Sequence, residues 1–351
     1  MKNKPIRTLK ILAQHQFIKE NDRLALEEVV NKFSLSVSPQ MHQLIEANNP
    51  DDPIAMQFIP SIRENTMTPI DHPDPVGDNK YTVTKGIIHR YPDRCLLLPV
   101  HVCPVYCRFC FRKVKVGNFS ETLNTKELEQ ALAYIKNHPE IWEVILTGGD
   151  PMILKPDRIK IILNQLIEIN HVEIVRIHTR VPVVESARIN SEMLSALKCA
   201  KPIYVVLHAN HPKEFTPEAI QACASLVDAG IPMLSQTTLL KGINDNIEVL
   251  GNLMRCFIKH RIKPYYLHHL DLVEGTEHFR TSVAQGQLLM KQLRGRFSGI
   301  CQPTYVLDIP GGYGKVPIGP GYIHSDTTNN KDAQKYKVED YCGMIHAYPK
   351  E

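Results

Sequence analysis

From residue 94 to beyond residue 300 the chain repeats one pattern: a short apolar run, a few polar or glycine-rich residues, then a segment whose apolar positions recur every three to four residues. Short apolar runs bounded by turn residues read as buried strands, and helical spacing, as in Ile159, Ile162, Leu163 and Leu166, reads as helices laid against them. The pattern predicts strands over 95–100, 143–146, 174–178, 203–207, 233–236, 265–267 and 305–307, with helices over 125–136, 156–169, 191–197, 217–229, 247–259 and 283–293. Strict alternation implies a parallel sheet with crossover helices, here a partial βα barrel whose chemistry sits in the loops after the strand ends. Residues 1–90 read differently, as helices over 22–33 and 39–47 separated by turn-forming clusters at 48–53 and 71–77. Ser38 is the expected N-cap of the second helix, with Pro39 in its first turn. The expected division is a helical extension over 1–90, the barrel over 91–325 and a short tail over 326–351.

Composition narrows the function classes. With 43% hydrophobic and 22% charged residues, the 351-residue chain has material for one large core. Its 41 basic and 37 acidic residues are too evenly matched to argue for nucleic acid, and no apolar stretch approaches the ~20 residues that cross a bilayer. No internal repeat or low-complexity tract stands out. The first residues show no apolar signal segment, so a reducing cytoplasm is expected, with Cys95, Cys199, Cys223, Cys256, Cys301 and Cys342 as free thiols.

The remaining cysteines carry the chemistry. Cys103, Cys107 and Cys110 form a C-x3-C-x2-C triplet directly after the first barrel strand. Three thiolates on one loop can hold three irons of a cubane cluster and leave the fourth open to S-adenosylmethionine (SAM). Zinc with His101 or a distant fourth ligand, a disulfide and metal-free thiols are the alternatives. Thr147-Gly148-Gly149-Asp150 after the second strand is a tight turn where a ligand could approach bare backbone and an ammonium could meet Asp150. After the last strand, Asp308-Ile309-Pro310-Gly311-Gly312-Tyr313-Gly314-Lys315 puts a lysine on a glycine-rich loop, where it can form an imine with an aldehyde cofactor or stand solvated. A nucleotide P-loop is not expected, because Val316 rather than Ser or Thr follows Lys315 and no glycine sits five residues before Gly314.

Together with Tyr91-Pro92-Asp93-Arg94, Arg112, His208-Ala209-Asn210-His211-Pro212, Gln236 and the segment 265–271 ending in Asp271, these motifs resemble the lysine 2,3-aminomutase family of radical SAM, pyridoxal phosphate (PLP) enzymes. The likeness runs over residues 91–320. It implies an α/β fold, a partial (βα)6-type radical SAM barrel with a mostly helical N-terminal extension. By resemblance, Cys103, Cys107 and Cys110 ligate a 4Fe–4S cluster, and Gly148, Gly149, Asp150, His208 and Gln236 line the SAM site. Lys315 would hold PLP and Arg94 its phosphate, a task suited to a planar fork of donors. Arg112 would grip the substrate carboxylate, and Asp271 and Asp308 the distant ammonium of lysine. Asp308 could instead cap the glycine-rich turn.

The implied reaction moves the α-amino group of L-lysine to the β carbon. The same chemistry on ornithine, arginine or glutamate is the nearest alternative, as is the shorter family branch that supplies β-lysine for modifying an elongation factor. A zinc or thiol scaffold without radical chemistry is the alternative from another class. The resemblance also implies a small-molecule amino acid substrate, an electron donor such as flavodoxin or ferredoxin, and a possible homo-oligomer, with no nucleic-acid or membrane partner. Longer family members carry a cysteine-rich zinc segment near the C-terminus and a partner-facing cysteine. Here Cys342 stands alone and Asn246 replaces that cysteine, so no such zinc site is expected.

Overall fold

The computed structural model describes residues 4–117, 122–325 and 336–349. Ten strands form one open sheet in chain order: β1 (Thr82–Thr84), β2 (Ile87–Tyr91), β3 (Arg94–Val100), β4 (Glu143–Gly148), β5 (Ile174–Thr179), β6 (Ile203–His208), β7 (Met233–Thr238), β8 (Ile262–His268), β9 (Thr304–Ile309) and β10 (Gly314–Pro317). Strands β3 to β9 run parallel, and β1, β2 and β10 add antiparallel edges. Crossover helices Thr125–Lys136, Pro156–Ile167, Ser191–Leu197, Pro217–Asp228, Ile247–Lys259 and Val283–Leu293 join successive parallel strands, giving the expected partial (βα)6 barrel. Local chemistry sets their starts. Asn124 with Glu127 and Ser282 with Gln285 close capping boxes, while Asn246 accepts from the Val249 N–H.

The main apolar core runs from Ile6 through the barrel to Tyr305, so the N-terminal helices are packed into the same interior as the sheet, and a smaller cluster gathers Phe109, Leu240, Ile243, Leu270 and Phe279. The expected helix over 39–47 is capped by Ser38 but ends at His42, where the Leu44 N–H bonds to the Met41 carbonyl and tightens the turn; farther on, the Glu46 N–H goes to the Asp52 carboxylate. Asp52 also caps the helix Pro53–Phe58, which sequence spacing did not reveal, nor did it reveal Leu9–Gln14. Strands β1 and β2 were likewise not foreseen, since Ile87-Ile88-His89-Arg90-Tyr91 has no period-two alternation.

The glycine-rich segment after β9, read as a loop, is a hairpin. Gly311 and Gly312 take φ near +86° and +85°, a conformation that side chains resist, and β10 returns antiparallel with Lys315 opposite Asp308. In the expected tail, Ile323–Ser325, Tyr336–Glu339 and Ile345–Tyr348 form a separate antiparallel sheet, while 326–335 and 350–351 lie outside the described residues, as do the first three residues of the chain. No helix among the described residues is long and apolar enough to cross a membrane.

Candidate active site

Successive side chains of a strand point to opposite faces, so every second residue of the curved sheet looks inward. Arg94 and Leu96 of β3, Glu143, Ile145 and Thr147 of β4, Arg176 and His178 of β5, and Tyr266 and His268 of β8 obey that period, and together they line a cavity of about 630 Å³. Every residue singled out from the sequence lines it too: the three cysteines, Gly148, Gly149, Asp150, Arg94, Arg112, His208, Gln236, Asp271, Asp308 and Lys315. The cysteines, the glycine pair and His208 stand at the carboxyl ends of the strands, as expected. Arg94 instead opens β3, so the cavity extends down the inner face toward the amino ends.

The N-terminal extension clamps the cysteine loop. The Tyr106 and Arg108 N–H groups donate to the carbonyls of Ser36 and Gln57, both at 2.8 Å. Arg108 and Lys113 converge on the fully buried Glu64 at 2.6 and 2.9 Å. Burial alone would raise the Glu64 pKa, but the two cations hold it below the ordinary range. All nine cysteines are free thiols, and burial pushes Cys110 up to about 11. Among the described residues no three His, Cys, Asp or Glu side chains converge closely enough to hold one metal ion. Cys103, Cys107 and Cys110 line one cavity as three soft thiol donors on one loop, the donor set that three irons of a 4Fe–4S cluster take.

The two glycines have a reason that the sequence did not disclose. A Cβ on Gly149 would lie 2.3 Å from the Val102 carbonyl oxygen, and one on Gly148, at φ +108°, would lie 2.7 Å from that of Val100. Their bareness therefore lets the start of the cysteine loop cross the end of β4. Asp150 lies on the cavity wall, yet both of its oxygens are engaged, one by the Thr179 hydroxyl (2.7 Å) and the Met152 N–H (3.0 Å), the other by the Arg180 N–H (2.8 Å).

Lys315 and its neighbours form an alternating ladder of charge. Lys315 Nζ lies 2.8 and 3.0 Å from the Asp308 carboxylate oxygens, and its backbone N–H donates to the Tyr91 hydroxyl at 2.8 Å. Arg90 bridges Asp308 (3.6 Å) and Asp78 (3.2 Å), and Asp78 in turn accepts from Arg112 Nε at 2.8 Å. The other two guanidinium nitrogens of Arg112 have no hydrogen bond among the described residues, leaving that edge available in the cavity. Asp271 faces the same group without a side-chain hydrogen bond among the described residues. Burial, then the charge of Asp308, raises its pKa to about 7.

On the Tyr91 whose hydroxyl holds the Lys315 backbone, Arg94 stacks 3.8 Å from the ring centroid, and it pairs with Asp93 at 2.6 Å. Arg176 is held by Glu143 at 3.0 Å. Imidazoles kept neutral also line the cavity: burial, then Lys315, lowers His268 to about 4, and burial first of all depresses His178 and His208 well below their ordinary value. The Nε2 of His178 is buried and unpartnered. His208 touches Asn210 at 3.2 Å and packs against Phe109 of the cysteine loop.

Sequence reasoning missed Asp78, Arg90, Arg176, His178 and Arg180. Arg176 and His178 had a readable signal, polar residues at period two within the apolar run Ile174-Val175-Arg176-Ile177-His178. Asp78 had none, since it lies in a turn-rich stretch with no motif around it.

The fit to known proteins is extensive. The sequence model of the radical SAM superfamily matches residues 97–253, and that of lysine-2,3-aminomutase matches residues 290–351. L-lysine 2,3-aminomutase of Acetoanaerobium sticklandii is 38% identical over 343 residues, which cover 98% of this chain and 82% of that protein. The Clostridium subterminale enzyme of the same name is 37% identical over 98% of this chain and 81% of its own length. Glutamate 2,3-aminomutase of Clostridioides difficile is 39% identical over 87% of this chain and 72% of its own.

Proposed function

The chain belongs to the lysine 2,3-aminomutase family of radical SAM enzymes, and from that premise we propose that it acts on L-lysine, moving the α-amino group to the β carbon. As a family member it is an isomerase that works with a 4Fe–4S cluster and SAM. Cys103, Cys107 and Cys110 would hold the cluster, Lys315 and Arg94 would hold PLP, and His208 and Gln236 would line the SAM site. When bound, these groups supply a carbon-centred radical that takes hydrogen from substrate carbon 3, and an imine nitrogen able to migrate between neighbouring carbons.

The protein contributes grip and exclusion. Arg112, steadied through Nε by Asp78, offers its other two nitrogens to the substrate carboxylate, the bidentate geometry for which a guanidinium is suited. Tyr91 pins the Lys315 backbone, so the side chain swings from a fixed point. Neutral His178, His208 and His268 keep further positive charge out of the cavity. The enclosing walls hold water and oxidants away from the reacting carbon.

Charge balance carries the choice of lysine. Asp271, Asp308 and Asp78 face Lys315, Arg90 and Arg112. Once Lys315 is committed to PLP and Arg112 to the substrate carboxylate, three carboxylates face only Arg90. That surplus suits a tail ending in an ammonium, which takes the place beside Asp308 that Lys315 leaves. A glutamate tail would add a fourth negative charge. The test is a panel of lysine, ornithine, arginine and glutamate on anaerobically reconstituted enzyme, with chiral product analysis. β-Lysine is expected from lysine and nothing from glutamate, and turnover of glutamate in preference to lysine refutes the proposal.

A further inference from the structure

Arg180 sits just past β5, where its guanidinium has a neighbour that the amino-acid substrate does not need. Its Nη1 lies 3.0 Å from Cys107 Sγ. Its Nη2 donates to Glu214 Oε2 at 2.6 Å and to Gln57 Oε1 at 3.0 Å, and its backbone N–H donates to Asp150. The rings of Phe58 and Phe109 lie 4.9 and 5.6 Å from the guanidinium carbon. The side chain is buried, with 6% of the residue exposed, and Glu214 is fully buried with its carboxylate also accepting from the Asn210 and His211 N–H groups. One terminal nitrogen, Nη2, is thus held by the carboxylate and the glutamine, and the other, Nη1, is aimed at the sulfur.

A guanidinium does not lose its proton in a protein, so this is a permanent cation touching one cluster ligand. Reduction of a 4Fe–4S cluster by one electron lowers its charge by one, and part of that charge resides on the thiolate sulfurs. An N–H donor and a fixed cation at the sulfur stabilise the reduced form more than the oxidised form, the more so in a desolvated pocket. Glu214 and Asp150 also reach Cys107 with their charge and oppose the cation, but of these charged groups only Arg180 touches the sulfur and donates a hydrogen bond to it.

We propose that Arg180 is a positioning residue that raises the reduction potential of the cluster through Cys107, bringing its one-electron reduction within reach of a low-potential electron-donor protein. The step balances: the donor loses one electron, the cluster gains it, and Arg180 keeps its proton throughout. The inference rests on the assignment of the cluster to Cys103, Cys107 and Cys110. A purely structural Arg180, tying Gln57 of the N-terminal extension to the loops after β5 and β6, would leave the potential unmoved.

The test is a redox titration of the SAM-free enzyme with dithionite, followed by paramagnetic resonance, on wild type, Arg180→Gln and Arg180→Lys reconstituted to equal iron and sulfide. At the potential where wild type is half reduced, the ratio of reduced to oxidised cluster in Arg180→Gln is expected to fall about tenfold or more, a shift of at least ~59 mV for one electron. Arg180→Lys keeps a charge for Glu214 but withdraws the donor from sulfur, so it should fall in between, and it carries the test if the glutamine variant does not fold. Wild type grown with arginine carrying 15N only at its guanidinium nitrogens should show a 15N hyperfine coupling to the reduced cluster that Arg180→Lys, grown the same way, lacks; this label leaves out the Arg112 backbone N–H, which donates to Cys110. Unchanged midpoints at full iron content, or no 15N coupling, overturn the proposal and leave the proposed function standing. A wild type that takes up no iron overturns both.

Discussion

Replacing Asp271 with asparagine keeps the shape of the side chain and removes one of the two carboxylates proposed to receive the substrate's distal ammonium. In the substrate-free protein, burial and then the charge of Asp308 lift this carboxyl to about 7, against 3.8 for an unperturbed aspartate. Between those values the folded protein keeps a proton that the unfolded chain has lost, so stability falls as the pH rises through that window. A difference of about three pH units at 1.36 kcal/mol each makes the wild-type residue a liability of roughly 4 kcal/mol above pH 7. Asparagine has no such proton to lose. The variant should therefore unfold at a higher urea concentration than wild type at pH 8 and at nearly the same one below pH 4. Its effect on turnover is opposite. Leaving a substrate ammonium short of one carboxylate in a partly desolvated cavity should cost ~3 kcal/mol, near the lower bound for a broken buried pair. That amounts to about a 100- to 200-fold loss in kcat/KM. Contacts far from the reacting carbon are made equally in ground and transition states, so the loss should fall on KM. Wild-type KM should also rise by up to about tenfold per unit as the pH drops below 7, where Asp271 takes up its proton, and the variant should show no such rise. Steady-state kinetics on the reconstituted enzyme from pH 6 to 8, with parallel urea melts, reads all of these effects. A variant with wild-type KM, or one less stable than wild type at pH 8, refutes the reasoning.

Lys315→Ala should lose the borohydride-trapped PLP adduct detectable by mass and all turnover, yet change stability by no more than about 1 kcal/mol, because its ion pair is a third exposed and Asp308 keeps Arg90 at 3.6 Å. In Asp78, burial pushes the carboxyl up, but Arg112 and Arg90 outweigh it and hold it below the ordinary aspartate range, so its contribution to stability is complete near neutrality and lost only as the pH falls through that depressed value. Asp78→Asn should raise KM about 10- to 200-fold, the loss of one charge-assisted hydrogen bond of ~1.5–3 kcal/mol, with a smaller change in kcat; an unchanged KM would mean that Arg112 needs no support. Gly149→Ala drives a methyl group to 2.3 and 2.5 Å from the Val102 backbone, where nothing can yield without moving the cysteine loop. It should cost ~1–3 kcal/mol in urea melts and lower the iron bound per chain after reconstitution.

Much of the architecture could be read locally. The six βα units, their helix caps and the cysteine triplet after β3 all follow from spacing within some thirty residues or fewer, and the strands and helices appear within a few residues of their expected places. The hairpin that carries Lys315 was harder to read, because three glycines and two prolines over 310–317 disguise a strand whose partner is β9. Strand β1 is only three residues long and β2 lacks alternation, and the helix over 39–47 stops where the Leu44 N–H takes the Met41 carbonyl, a tightening that no propensity anticipates.

What the chain determined by itself is which chemical groups arrive at the sheet's inner face, because period two in a strand and fixed spacing in a loop are properties of neighbours. What only the tertiary structure decided is the state those groups are in. Arg180 meets Cys107 across 73 positions of sequence, Glu64 meets Arg108 across 44, and Gly149 is bare because the Val102 backbone crosses it. A carboxyl such as Asp271 is near-neutral or ionised according to how much water the assembled walls remove and which charges they bring close. Desolvation and Coulomb energy are sums over everything within several ångströms, and the chain assembles that neighbourhood only by folding.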